Sequence, residues 1–484
     1  MTASAAAWLG EVLDGGSFQS WDAPPAPPSD AGYREALARA AGRSGADEAV
    51  RTGRGTVHGR PIAVIASEFG FLGGSIGVET ARRIVAAFAR AGRDRLPVLA
   101  GLASGGTRMQ EGAAAFLTMR TITAAVSAYR ASGLPYLVHL RNPTTGGVYA
   151  SWASLAHDVT AEPDALVGLL GPRVVTALVA EGAATGIPAG VQTAENLLGH
   201  GRLDAVVGPA GFRDRAARLL ALLKGEHRAS VETIVPDVAD GATTGTSWDA
   251  VRAAARPGRP ALPDLIAACD EFLPRRAGAG ELVTGWARRG ETVFLLIGQD
   301  RTRSTPTTVA DVVAAREAMA LAASLRMPVV AVADTSGAEI SAAAEEAGLA
   351  QEIARTLAAG SALPAPSVTL LLGEGTGAAA IALCGSDVIV AVEDSWLAPL
   401  PLAGAAALLP AGPDAVGPEA VRARVAEQQR IGATALFRDG LIDGVVGRAG
   451  ATVSRRLDGH PARALAAHVL GLARAAAHVR VPVG

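Results

Sequence analysis

The chain has 484 residues, 49% hydrophobic and 19% charged, with 57 glycines and few aromatics. That length accommodates two domains of comparable size, and the composition is that of a packed α/β protein, which excludes a disordered chain. A formal net charge of -2 gives no bulk attraction to nucleic acid or to an acidic membrane, since such binding needs clustered Lys and Arg.

Residues 1–51 read as an N-terminal helix and a connector rich in proline (Pro24, Pro25, Pro27, Pro28), outside the main core. The opening MTASAAAWLGEVLDGG lacks a basic leader and carries Glu11 and Asp14 where a signal core would lie, so a cytoplasmic location is expected. Next, GRGTVHGRPIAVIASEF predicts a β-hairpin turning at Gly59. The loop Gly70 to Gly77, with Gly73, Gly74 and Ser75, precedes an amphipathic helix over Val78 to Ala91; such a loop can hold a phosphate or thioester arm, or be a plain turn.

Leu96 to Leu102 predicts a buried strand, and Ser104, Gly105, Gly106, Thr107 and Arg108 turn it into a helix reaching about Tyr129. Tyr136 to Trp152, YLVHLRNPTTGGVYASW, reads as strand, turn and helix start. The amides at Gly146 and Gly147 then lack intrahelical acceptors and can face an anion, as a backbone oxyanion site requires. Taken alone, the pattern is met more often as a plain tight turn. Val159 to Leu170 predicts a further strand closed by a turn at Gly171, Pro172 and Arg173, followed by a helix at Gly190 to His200, a short strand at Arg202 to Val207 and a helix at Phe212 to Leu223.

The first domain is thus placed at 52–224, a linker at 225–262 and a second domain at 263–484, opening with a helix over Pro263 to Leu273 and a first clear core strand at Thr292 to Ile297. Trp396 to Leu409 is the most apolar run, but Pro399, Pro401 and Gly404 interrupt it, so no membrane span is expected. Three blocks of this half echo the first in the same order. Met327 to Gly337 repeats Leu96 to Gly106, Val368 to Leu400 repeats Tyr136 to Leu170, and Leu436 to Val446 repeats Leu197 to Val207, which argues for duplication of one domain. Two copies of a backbone turn suit a reaction with two carbonyls to polarise.

Other chemistries fit less well. There is no Gly-x-Ser-x-Gly elbow, no phosphate loop and no complete dinucleotide fingerprint. Only Cys269 and Cys384 are present, so a disulfide framework and a zinc ribbon are unavailable and no metal is expected. Among the histidines, His157 is the one to test as a catalyst.

The motifs SGGTRMQEG, PTTGGVYASW, LLGPRVV and GFLGGSIG resemble the β-subunit type of acyl-CoA carboxylase carboxyltransferases. DTSGAEISAAAEEAGLAQEIAR and GEGTGAAAIAL resemble the α-subunit type, and together the likeness covers about Thr52 to Val446. It implies two crotonase-like ββα domains, assembled as a homo-oligomer in which the N-domain of one protomer faces the C-domain of another. It also implies an acyl-CoA enolate held at Gly146 and Gly147 and, on a biotin carboxyl carrier protein served by a biotin carboxylase, carboxybiotin held by amides at Gly377, Ala378 and Ala379. Gly73, Gly74, Ser75, Ser104 to Arg108, Thr145, Gly171 to Arg173 and Gly337 would contact substrate. Where the family tends to have glycines this chain has Ala378 and Ala379, and Leu402-Ala403-Gly404 replaces a Pro-Glu-Gly, which narrows the biotin side. A biotin-independent malonyl-type decarboxylase and a non-catalytic scaffold subunit are the rival readings.

Overall fold

The protein is described by a computed structural model over residues 3–180, 186–224, 245–275, 280–408, 417–447, 452–454 and 462–479. Two compact units emerge, Met1–Ala221 and Leu222–Gly484. Residues 225–244 of the expected linker lie outside the described residues.

The first unit opens with α1 (Ala5–Val12), whose Ser4 side chain caps the Ala7 amide. Short β1 (Gln19–Ser20) and α2 (Ala31–Ser44) lead to a hairpin of β2 (Val50–Val57) and β3 (Arg60–Ser67), turning at His58 and Gly59 as expected. There follow α3 (Val78–Arg93), β4 (Val98–Ser104), α4 (Gly112–Ala131), β5 (Tyr136–Thr145), β6 (Asp158–Ala161) and β7 (Val167–Gly168). The unit closes with α5 (Pro172–Ala180), α6 (Ala194–Gly199), β8 (Ala205–Val206) and α7 (Pro209–Lys224). The sheet runs β1-β2-β3-β4-β5-β6-β8, with β7 beside β5; from β3 onward the pairs are parallel. Parallel strands are covered on both faces, which is why Ile62 to Ala66 form an unbroken apolar run. On one face, Phe88 of α3 meets Tyr129, Tyr136 and Trp152 edge-on.

Two sequence expectations change here. The first helix is not peripheral: Ala5, Trp8, Leu9 and Val12 make one buried stripe at helical spacing. Gly101 leaves room for the Trp8 indole, since a Cβ there would come within 2.4 Å of it. His157, the proposed test residue, is fully buried and its Nδ1 accepts the Tyr136 amide at 2.9 Å, a structural task.

His139 is likewise structural. Trp8 Nε1–H can only donate, so His139 Nδ1 accepts it at 3.0 Å and Nε2–H is left to donate to the Val207 carbonyl at 3.0 Å. Burial holds this neutral ring down to a pKa of about 4, against 6.5 in an exposed histidine. A depressed histidine stabilises the fold fully above its unfolded pKa, and that contribution is lost as pH falls from about 6.5 towards 4. His139→Gln, which keeps an acceptor and a donor without titrating, is expected to flatten the fall of melting temperature across that window. Parallel curves for the two proteins would rule this out.

In the second unit come α8 (Ser247–Ala254), α9 (Leu262–Ala267), β9 (Glu271–Pro274), β10 (Leu282–Arg289), β11 (Thr292–Gln299), α10 (Val309–Leu325) and β12 (Val329–Thr335). They are followed by α11 (Ala342–Glu346), α12 (Leu349–Ser361), β13 (Ser367–Thr376), α13 (Gly377–Ile381), β14 (Val388–Val392) and β15 (Trp396–Ala398). Last are α14 (Leu402–Leu408), α15 (Pro418–Gln429), α16 (Ala433–Arg438), β16 (Gly444–Val446), β17 (Thr452–Ser454) and α17 (Arg463–Val479). The expected opening helix stops at Ala267, and β9 and β10 precede the strand that was expected to come first.

Duplication is visible in the topology. The second sheet has β10-β11-β12-β13-β14-β16 where the first has β2-β3-β4-β5-β6-β8, and β15 sits on β13 as β7 sits on β5. Even the irregularities recur: β4–β5 shifts register before Ser104, and β12–β13 before Thr335.

Candidate active site

Each unit brings two glycine turns together at the carboxyl ends of neighbouring parallel strands, where open α/β sheets place their ligands. In the first unit Gly106 has φ +108° and Gly146 φ +68°, backbone conformations that L side chains rarely adopt. A Cβ on Gly146 would come within 3.0 Å of the Gly106 Cα, so only glycine permits this approach. The Gly106 turn is fastened from below: the Ser104 hydroxyl donates to the Gly74 carbonyl at 2.7 Å and accepts the Gly106 amide at 3.0 Å. The Gly105 amide donates to the Gly73 carbonyl at 2.9 Å, and the Thr145 hydroxyl to the Ser104 carbonyl at 3.4 Å. Gly74 could not be any other residue, because its Cβ would fall 2.1 Å from the Ala103 carbonyl oxygen.

The amides divide the two candidate glycines. Gly146 N–H donates to the Gly168 carbonyl of β7 at 3.2 Å, so this amide is already engaged and is not available to an oxyanion. Among the described residues no acceptor takes the amides of Gly147 or Thr107. Gly147 N lies 3.6 Å from where a Cβ on Gly106 would stand, so the two turns form one cradle. Beyond Gly147 the chain makes irregular turns rather than the expected regular helix, with Ala153 bonding back to Val148.

Arg108 is 1% exposed and points inward, pairing with Glu48 at 3.1 Å and donating to the Ser75 carbonyl at 2.9 Å and the Thr80 hydroxyl at 3.1 Å. Burial works to discharge it, but the Glu48 carboxylate and Tyr33 outweigh that and raise its pKa. The side chains of Arg108, Ser75 and Ser104, expected to contact substrate, are thus engaged in bracing the loops. Gly171 lies beside the turn, since a Cβ there would be 3.7 Å from Thr145 Oγ1. Pro172 and Arg173 begin α5 instead of closing a turn, and the Arg173 side chain lies outside the described residues.

In the second unit the same parts recur. Gly337 has φ +123°, Gly377 has φ +65°, and the Thr335 hydroxyl accepts the Gly337 amide at 3.1 Å. Gly377, Ala378 and Ala379 are the first residues of α13, so their amides have no acceptor inside the helix, and among the described residues no side chain caps them. Ala379 is buried while Ala378 is exposed. Only one of the two added methyls therefore stands at the surface. The Gln299 amide donates to the Ala379 carbonyl at 3.1 Å and locks the turn from behind. Below it, Arg259 grips the buried Asp334 through two bonds of 2.7 and 2.8 Å, yet burial still leaves that carboxyl raised. Both cysteines stay protonated at neutral pH, burial pushing Cys269 up to about 11 and Cys384 up to about 12.

Two ββα units with unpaired main-chain amides at the same topological position define a duplicated crotonase-like protein. The carboxyl transferase domain family matches residues 27–232, and the acetyl co-enzyme A carboxylase carboxyltransferase-like family matches residues 242–469. The chain belongs to the carboxyltransferase family of biotin-dependent acyl-CoA carboxylases, with its β-type and α-type halves in one polypeptide. It is 45% identical to the probable biotin-dependent acyl-coenzyme A carboxylase beta3 subunit of Mycobacterium tuberculosis, over 90% of this chain and 87% of that protein. With the acetyl-coenzyme A carboxylase carboxyl transferase subunits beta/alpha of Salinispora tropica the identity is 35%, over 91% of this chain and 82% of the relative. Transcarboxylase 12S, a hexameric multienzyme core, shares the fold with a TM-score of 0.75 at 21% identity, over 99% of this chain and 90% of its own.

Proposed function

We propose that this protein is the carboxyltransferase component of an acyl-CoA carboxylase, moving a carboxyl group from carboxybiotin on a carrier protein to a short acyl-CoA. The observation that carries the reading is the pair of unengaged amides at Thr107 and Gly147. Preorganised N–H donors of this kind stabilise the charge that develops on a thioester oxygen when the α-proton leaves. Residues 52–224 would bind the acyl-CoA and residues 263–484 the biotin. The amides of Gly377, Ala378 and Ala379 fit a ureido oxygen, being uncapped and reachable past a single methyl. Biotin, when bound, supplies the carboxyl group, and its freed ring nitrogen is the base that the chain's buried histidines do not provide. No side chain need change its charge in the cycle. A homo-oligomer is in keeping with the reading, as are a biotin carboxylase and a carrier protein as partners, a cytoplasmic location and, with acetyl-CoA as acceptor, a malonyl-CoA product feeding fatty acid synthesis. Among the described residues no helix is long and apolar enough to cross a membrane.

The test is the reverse half-reaction. Purified protein with malonyl-CoA and free biotin or biotinylated carrier is expected to form carboxybiotin. Failure across malonyl, methylmalonyl and longer homologues would overturn the assignment, and carbon dioxide release that needs no biotin would replace it with a decarboxylase.

A further inference from the structure

The two units fasten their first glycine turn with the same bolt but anchor it differently. In the first, Ser104 links the Gly106 amide to a backbone carbonyl, that of Gly74. In the second, Thr335 accepts the Gly337 amide, and its Oγ1 lies 3.1 Å from Thr307 Oγ1, which in turn contacts Glu281 Oε1. The chain of hydroxyls thus ends on an ionisable group. Glu281 is fully buried, and among the described residues its Oε2 has no hydrogen-bond partner.

The surroundings favour a proton there. Asp311 of α10 and Asp334 of β12 both push the Glu281 carboxyl upward. Asp300 donates its amide to the Glu281 carbonyl at 2.8 Å, and Arg303 donates to the Gly280 carbonyl at 3.1 Å. Arg259 is engaged by Asp334, and Arg301 pairs with Glu374. Burial is the main cause; the Thr307 and Thr335 hydroxyls pull the carboxyl back down, and the balance leaves Glu281 at about 7.

We propose that Glu281 is a positioning residue of the biotin-side turn, acting through the Thr307–Thr335 hydroxyl chain to set how Gly337 is held. Gln299 Nε2 donates to Thr307 Oγ1 at 3.2 Å in either state. With Glu281 protonated, its O–H donates to Thr307, the Thr307 hydroxyl donates to Thr335, and Thr335 is free to donate to the Gly337 carbonyl, 3.4 Å away. The Gly337 carbonyl, which accepts the Thr307 amide at 3.0 Å in either state, then gains a second donor, while the Gly337 amide stays on Thr335. With Glu281 ionised, Thr307 must donate to the carboxylate, Thr335 turns its proton to Thr307, and the Gly337 carbonyl keeps only the Thr307 amide, at 3.0 Å. Gly337 packs on Thr376, since a Cβ on it would lie 3.3 Å from that side chain, and Thr376 leads directly into Gly377. The state of Glu281 is therefore delivered to the start of α13.

This inference rests on the biotin-side reading of the second unit, so its test has an arm that needs no catalysis. Glu281→Gln imitates the protonated acid. A carboxyl whose folded pKa is raised stabilises the fold fully below its unfolded value and loses that contribution as pH rises to the folded value. The melting temperature of Glu281→Gln should therefore gain on wild type between about pH 5 and pH 7.5, by about 5 °C, and by no more above it. In the transfer assay the ratio of Glu281→Gln to wild-type kcat should rise roughly 3- to 10-fold across pH 6 to 8, the weight of one hydrogen bond, with KM for acyl-CoA unchanged. Thr335→Val, which cuts the hydroxyl chain, should make kcat low and, when combined with Glu281→Gln, should abolish the pH-dependent difference in kcat that Glu281→Gln makes on its own. A melting difference that does not change with pH overturns the proposal whatever the activity. A changing melting difference with a flat kcat ratio leaves Glu281 a titrating core residue and also overturns its positioning role. Absence of transfer in wild type would instead indict the assigned function.

Discussion

Replacing Gly147 with proline is expected to lower carboxyl transfer by roughly 100- to 1,000-fold, the effect of deleting one oxyanion donor. Proline removes the N–H, which among the described residues has no acceptor. Gly147→Ala is the control. Its Cβ would meet the Met119 thioether and its neighbouring carbon at 3.2 to 3.3 Å, a flexible side chain that can give way, and Thr107 Oγ1 at 3.5 Å, an ordinary contact, and the amide stays in place. Transfer close to wild type in the alanine variant, with the loss confined to the proline variant at unchanged melting temperature, identifies the amide as the working group. Equal activity in both variants would eliminate Gly147 as a donor. Loss in kcat with little change in KM is the expected form, since the donor matters most when charge has developed on the oxygen.

Gly146 illustrates what could and could not be read in advance. Side by side in the sequence, Gly146 and Gly147 are equivalent, and both look like donors at the start of a helix. What separates them is the carbonyl of Gly168 on β7, which takes one amide and leaves the other. That pairing is tertiary, and no local pattern announces it. The strands and the duplication were legible for the opposite reason: parallel strands covered on both faces must be apolar throughout, so Ile62 to Ala66 and Val329 to Ala333 declare themselves. The stripe of α1 was present at positions 5, 8, 9 and 12, yet it was obscured by the prolines that follow; its receptor, the gap at Gly101, lies on another strand. Strands β9 and β10 were missed because Arg288 and Arg289 give the hairpin a polar end, whereas Trp286 at its centre is fully buried. For Arg108, adjacency to a glycine turn suggested a ligand. Its carboxylate partner stands 60 residues upstream.

That partner sets the expected outcome of Arg108→Met. Arg108 and Glu48 are both almost wholly buried, and a cleft of about 700 Å³ lined by Pro25 to Pro28, Tyr33 and Val78 opens over them. Removing the guanidinium leaves Glu48 as an uncompensated buried charge, which destabilises by about 3–5 kcal/mol. For a unit of this size that lowers the melting midpoint by roughly 10 °C. The damage is also directional, because the same guanidinium ties the Ser75 carbonyl to the start of α3 at Thr80. Gly73 and Gly74, just before Ser75, receive Gly105 and Ser104, so slackening this loop loosens the Gly106 turn and should lower kcat/KM for the acyl-CoA even at temperatures where the variant stays folded. Pairing Arg108→Met with Glu48→Gln removes the stranded charge but restores no brace. Stability should therefore recover in large part while activity does not. If the double variant regained both, Arg108 would matter only as a counter-ion. If the single variant lost less than about 1 kcal/mol, the pair would have the weight of a surface ion pair, and its burial would have to be abandoned.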